Sequence, residues 1–435
     1  QGPSRRPREG ALEGGLPDAR SLTNEDDAAS HGDAGDRRGM HLLAGTAPAE
    51  GENMFGECAF HRNQNRLGKQ DAQREKTGKF TPAQLPDMTM TTRYFASAAL
   101  AVVLPLLSQA RAADAIDALK KEVVANYAAI ASLTTADAHA QALELQKALA
   151  AFTAAPSKET HDKAKDAWIA ARLPYLQAEV FRVADPDGAV LDSPRVETLT
   201  KAQEKPGGFP VIEFLLWGKD GSVDGPGERA FDDFLVDKSD DAVRLSGLLK
   251  ASSELVVSKT AASAAAWGRE PAGDARAKLL EAPVDQSLKT ILGNVSTLAG
   301  TRLGKERIGV PYKSRDQADE SSNFSDATHL DLIYVCSGLA NVVAGAYVGG
   351  DKEVKVQGTG LLKLSSALGE KQGGDMQLAI NRVMLAVTSF RPPFDRALLA
   401  PDDSPAREAI KEIMDALDEL TTATGELAKG LGIEL

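Results

Sequence analysis

The sequence predicts an all-α protein of two helical-bundle lobes, about 114–235 and 236–435, which together form one domain. Three observations carry this prediction. Aromatic residues make up only 5% of the chain while alanine is abundant, a balance that favours helix over sheet. From residue 115 onward apolar side chains recur at helical spacing. No part of that stretch shows the sustained period-two alternation that a sheet needs. At 435 residues the chain is also too long for one compact core.

The elements follow in order. Residues 115–133 put Ile116, Leu119, Val123, Tyr127 and Ile130 on one helical face, and 135–154 repeat the pattern through Leu143, Leu145, Leu149 and Phe152. Pro156 breaks the chain, and Ser157 can cap a long helix running toward Phe181. Pro174 is expected to kink or interrupt that helix. Residues 184–207 read as a loop, 210–217 as a short apolar helix, and 218–227 as a Gly-rich loop. A Ser/Ala-rich helix spans about 240–267 and another about 276–303, followed by a polar loop at 304–325. Helices are expected near 326–347, 375–390 and 405–429, the last capped by Ser404 with Pro405 at its first position.

Residues 1–87 are rich in Gly, Arg, Asp, Glu and Gln without apolar periodicity, and read as disordered or as lying upstream of the true translation start. Arg93, an uncharged run from Tyr94 to Leu107, and the small residues Ala110 and Ala112 have the layout of a secretory signal peptide over 88–113. Cleavage near Ala112–Ala113 would send the mature chain to the periplasm or cell envelope. The run also contains Pro105 and falls short of the ~20 residues of a membrane span. No transmembrane segment is expected in the mature chain.

Charge and cysteine content exclude several functions. Residues 1–113 are balanced, with 14 basic and 14 acidic side chains, so the net charge of −12 belongs to 114–435. An acidic body repels phosphate backbones, which argues against nucleic-acid binding. Cys336 stands alone in that body, so neither an internal disulfide nor a paired-cysteine zinc site can form there. There is no His-Glu-x-x-His and no Gly-x-Ser-x-Gly.

Three stretches could carry chemistry. In 209–217 Glu213 is the lone polar side chain of an apolar helix, and a carboxylate so placed needs a cation, a metal or hydrogen-bond donors. A structural ion pair with Arg172, Arg182 or Arg307 is the plainer account. In 172–182, Arg172, Tyr175, Gln177, Glu179 and Arg182 can line a shared stripe, with Glu179 and Arg182 close enough in sequence to pair. In 320–331, Ser325 or Asp326 can cap the following helix and His329 lies one turn on. An imidazole beside carboxylates suits a first-row metal, although a capping motif with a hydrogen-bonded His explains the same residues.

Taken together these stretches resemble the imelysin-like family of bacterial envelope proteins, especially its iron-regulated protein A branch. The resemblance rests on Ala167-Trp168 through Phe181-Arg182, on Gly208-Phe209-Pro210-Val-Ile-Glu213-Phe-Leu-Leu-Trp217-Gly218, on Glu320 through Asp331, and on Gly338-Leu-Ala-Asn341-Val342. It implies two α-helical lobes with a site between them, export, iron-linked regulation, and partners in iron uptake or the envelope. By that resemblance Glu213, Asp326 and His329 are the candidate metal ligands, for Fe or Zn. Arg172, Tyr175, Gln177, Glu179, Arg182, Gly208 and Asn341 would line the site.

One departure matters. Where the family motif Gly-x-His-x-x-Glu has its histidine, this chain has Pro210, which offers no ligand. The loop at 183–206 is short for the branch, and Ser321 and Asn323 stand where the branch has His and Cys. Any metal should therefore bind weakly or not at all. The expected function is a non-enzymatic envelope protein linked to iron or metal acquisition. The alternatives are a metallopeptidase, which needs about three ligands and an open water position, and a periplasmic scaffold for a protein or peptide.

Overall fold

The computed structural model describes residues 90–182, 206–222, 225–349 and 353–435, with side chains from Asp114 onward. The expected disordered segment, the signal-peptide side chains and most of the 183–206 loop lie outside the described residues. Among the described residues the protein is a helical bundle with one two-stranded hairpin, and no helix is long and apolar enough to cross a membrane.

The helices are α1 (Met90–Ala154), α2 (Lys158–Gln177), α3 (Phe209–Trp217), α4 (Ala242–Ala266), α5 (Asp274–Glu281), α6 (Val284–Ser296), α7 (Gly309–Ser314), α8 (Thr328–Ala344), α9 (Leu361–Leu368), α10 (Glu370–Ser389), α11 (Phe394–Leu399) and α12 (Pro405–Gly430). The strands β1 (Ala346–Val348) and β2 (Val354–Gln357) pair antiparallel, with a register irregularity after Tyr347. α1 packs on α2 and α4, and α3 bridges α2 and α4. A second set joins α10 to α9 and α12, with α6 against α12. The sets meet where α2 packs on α8 and α1 on α6 and α9.

The two helices expected over 115–154 are one. Thr134 and Thr135 sit at the join, and their hydroxyls donate back to the carbonyls of Ile130 and Ala131 at 2.8 and 2.7 Å, so neither breaks the helix. Ser157 caps α2 through a reciprocal bond with Thr160. Pro174 does not end α2. It sits in the last turn, and a 3₁₀ turn over Ala178–Phe181 continues the path.

The expected loop at 304–325 begins as helix. A π-helical stretch over Thr297–Ile308 leads into α7, and its Leu303 and Ile308 are fully buried. The end of α2 lies tightly against α8. A Cβ on Gly338 would stand 2.4 Å from the Gln177 carbonyl oxygen, so only glycine permits that approach.

Aromatic contacts lock α3 to α2. The Trp168 indole donates to the Phe209 carbonyl at 3.0 Å, and its ring meets Trp217 edge-on at 5.3 Å. Glu213 is thereby carried into the interior, 1% exposed.

Candidate functional site

The candidate site is built where the end of α2, the short α3 and the 320–331 segment converge. α2 contributes Arg172, Tyr175 and Gln177, and the 3₁₀ turn adds Glu179 and Arg182, all buried. Two of the charges here, Arg172 and Glu179, are each answered by an opposing charge from a distant part of the chain.

Arg172 holds Asp331 in a two-point fork, Nε to Oδ1 at 3.0 Å and a terminal nitrogen to Oδ2 at 2.5 Å. The Asp331 carboxylate also accepts from the hydroxyls of Ser321 at 3.0 Å and Ser322 at 2.6 Å. The guanidinium lies over the rings of Trp168 and Phe209, 5.2 and 5.3 Å from their centroids. Glu179 is held the same way by Arg307, at 3.0 and 2.9 Å. Burial works against the Glu179 charge, but Arg307, with Arg182 and Arg302, outweighs it and holds the carboxyl below its ordinary range. Arg182 stacks 4.0 Å above the Tyr175 ring and donates to the Tyr175 carbonyl at 2.8 Å.

Glu213 is met by the donors of Ser325. Its Oε1 accepts the backbone N–H of Ser325 at 2.9 Å and the Ser325 hydroxyl at 2.6 Å. Burial pushes its carboxyl up to about 8, with the Asp331 charge adding to the rise, while Ser325 and Arg172 oppose it. Gly208 is the residue that opens α3, preceding Pro210 in its first turn. Two amide atoms nearby are buried without a hydrogen-bond partner among the described residues: Gln177 Oε1, and Asn341 Nδ2, one turn beyond Gly338.

His329 Nδ1 lies 3.0 Å from the Asp326 carbonyl, and burial lowers the imidazole's affinity for a proton. Asp326 itself adopts a left-handed backbone, φ 54°. Its side chain turns to a second cluster, where carboxylate oxygens of Asp220, Asp326 and Asp395 lie within 4.8 Å of one another. Among the described residues no group of three potential ligands unites Glu213, Asp326 and His329. Sequence reasoning named Asp326 but neither Asp220, in the loop after α3, nor Asp395, in the first turn of α11, and neither carries a local signal. Burial also pushes the Cys336 thiol up to about 12, which makes it a core residue and no nucleophile.

Beside this network a cavity of about 390 Å³ opens next to Tyr175 and Arg182, with Phe181, Trp267, Thr260 and Lys259 among its walls.

Residues 123–424 match the family model described as Imelysin. Among solved structures, the chain is similar to a protein described as an iron-regulated protein A precursor from Parabacteroides distasonis. That likeness has 21% identity and a TM-score of 0.53, covering 72% of this chain and 95% of the other. At that identity it shows the shared fold. No curated protein sequence matches the chain.

Proposed function

The chain belongs to the imelysin family, and from that premise we propose that it is an exported, non-enzymatic binding protein of the bacterial cell envelope that serves iron or other metal acquisition. One observation carries the non-enzymatic part. At the position of the family's metal motif, Glu213 is occupied by Ser325, Pro210 supplies no ligand, and the neighbouring carboxylate Asp331 is gripped by Arg172. The residues present do not fit a metal at that motif. Hydrolysis by zinc needs about three protein ligands, an open water position and a base, and Glu213 offers one carboxyl.

The binding part is supported by the cavity beside Tyr175 and Arg182 and, apart from it, by the buried amide atoms of Gln177 and Asn341 that have no hydrogen-bond partner among the described residues. The link to acquisition is supported by the family and by the description of the similar structure. A scaffold that binds a peptide in the same cavity is the second reading, favoured by its aromatic walls.

The test is deletion of the gene, followed by measurement of cell iron and of growth under iron limitation. The purified exported protein is assayed in parallel against a mixed peptide library. The proposal expects lower cell iron and no cleavage. Peptide hydrolysis that a chelator abolishes would replace it with the peptidase reading.

A further inference from the structure

We propose that the cavity beside Tyr175 and Arg182 binds a small aromatic acid, its ring against the aromatic wall and its carboxylate toward the cations Arg182 and Lys259. The proposal rests on the reading of the chain as a binding protein and names the ligand class. The walls come from α1, α2 with its 3₁₀ turn, α4 and α5, and include none of Glu213, Asp326 and His329. The site is therefore separate from the family motif.

The first argument is volume. Ala138 from α1, Ala178 from the 3₁₀ turn, Ala262 and Ala266 from α4 and Ala275 from α5 meet at the cavity. Their short side chains leave a hollow of about 390 Å³. Small-molecule sites run to roughly 300–1,000 Å³, so this one suits a compact ligand such as a bicyclic ring with one acid group.

The second argument is the aromatic wall. Phe181 and Trp267 line the cavity, and their rings meet edge-on at 5.9 Å. Tyr127, outside the lining, meets both edge-on, at 4.8 and 6.0 Å, and its hydroxyl donates to the Val180 carbonyl at 3.2 Å. The three rings brace one another, so the lining pair is fixed in advance of a ligand. A rigid aromatic surface favours a planar ring, which can stack offset or edge-on at little cost in ordering.

The third argument is charge. The lining carries two cations, Arg182 and Lys259, and one acid, Asp274, in a chain whose net charge is −12. Asp274 is exposed in the first turn of α5, whereas Arg182 is buried. Contacts with neutral groups hold the Arg182 guanidinium at the wall: it stacks 4.0 Å above the Tyr175 ring and donates to the Tyr175 carbonyl at 2.8 Å. A wall of this sign disfavours a bare metal ion or an amine. A wholly apolar ligand would take water from the cations without offering them a hydrogen bond. A carboxylate offers both cations charge-assisted hydrogen bonds.

The experiment uses the purified full chain and three probes with one ring system and different charge: 2-naphthoate, the neutral 2-naphthamide and the cation 2-naphthylmethylamine. Each is titrated calorimetrically. The expected result is one naphthoate per chain with a Kd of about 10⁻⁵ to 10⁻⁴ M. The amide should bind at least about tenfold more weakly, and the amine more weakly still. Lys259→Gln should weaken naphthoate at least about fivefold and leave the amide within about twofold, a split that misfolding would not produce. Ala262→Trp and Ala266→Phe, which narrow the cavity, should weaken acid and amide alike. Three results would each overturn the proposal. One is no heat from naphthoate up to about 1 mM. Another is an amide that binds within about twofold of the acid. The third is naphthoate binding within about twofold of the parent in both narrowed variants. The gene-deletion test is independent: lower cell iron without acid binding would overturn this proposal alone, and acid binding with unchanged cell iron would overturn only the acquisition role.

Discussion

The two carboxylate clusters that flank the 320–331 segment meet the cost of burial in opposite ways. On the α2 side, Asp331 and Glu179 are each held in a two-point fork by arginine. On the α11 side, Asp220, Asp326 and Asp395 bring carboxylate oxygens within 4.8 Å of one another. Burial, with the charges of their neighbours, pushes Asp326 up to about 7 and Glu320 up to about 9. The first cluster is electrostatically closed and behaves as structure, while in the second burial and like charges hold protons on the carboxyls. Family membership alone would direct attention to the closed side.

The largest effect expected from this contrast is at Arg172. Arg172→Met leaves the Asp331 charge buried with only serine hydroxyls for partners, and should destabilise the protein by about 3–5 kcal/mol in urea unfolding. Adding Asp331→Leu should recover much of the loss, since an apolar pair of similar volume can replace a buried ion pair. A single-variant loss under about 1 kcal/mol would mean that the α2 side is no more closed than the α11 side.

Next in size is the pH response of Glu213. Its carboxyl is held at about 8 in the folded protein against an ordinary value of 4.5. A raised carboxyl binds its proton more tightly when folded, so its contribution is complete below about pH 4.5 and is lost as pH rises through 8. Unfolding measured from pH 5 to 8.5 should show a decline of roughly 3–4 kcal/mol from this group. Glu213→Gln keeps an oxygen for Ser325 and should flatten the profile, standing above the parent at pH 8.5. An unchanged slope would show that Glu213 is ionised and compensated like Asp331.

His161 tests the same logic away from both clusters. It lies 2.8 Å from the Leu216 carbonyl, stacks on Phe152, and is held at about 4 by burial, with Lys165 adding to the effect. A lowered imidazole contributes stability that is present above its ordinary value of 6.5 and lost as pH falls toward 4. The expected loss is about 1–2 kcal/mol after allowance for solvent screening, and His161→Gln should remove that acid-side slope. Proton uptake by His161 near pH 6.5, followed by NMR, would contradict it.

These effects also separate what was legible in the sequence from what was not. Helix positions followed from apolar spacing and caps: Ser157 and Ser404 stand where the chain enters α2 and α12. The burial of Glu213 was legible because an apolar helix carries it inward whatever it meets there. Its partner was not. Arginines were the natural candidates, yet Arg172 lies 159 residues from Asp331 and Arg307 lies 128 from Glu179, and both are committed to those carboxylates. The acidic cluster was hidden for the same reason, since Asp220 and Asp395 carry no local pattern and meet only when α3 and α11 are in place. Charge pairing across the fold is a tertiary property, and helical periodicity says nothing about it.

The smallest expected effect is at Pro210, where the family motif has its histidine. Restoring it with Pro210→His supplies one nitrogen beside one carboxyl, and a zinc or iron site needs about three ligands. Glu213 is also engaged: both hydrogen bonds from Ser325 end on its Oε1, and a metal there would have to displace them and remove a proton from a carboxyl held at about 8. Backbone disturbance should be slight, because Pro210 lies in the first turn of α3, where the ring's missing N–H would have no intrahelical partner. Calorimetric titration of Zn²⁺, and of Fe²⁺ without oxygen, should therefore give affinities within about threefold of the parent, a change under about 1 kcal/mol. Tight one-to-one binding that appears with Pro210→His and vanishes with Glu213→Ala would break the comparison between the clusters. It would mean that the α2 side lacks only its histidine, and that the Ser325 contacts yield to a metal once a second ligand is offered.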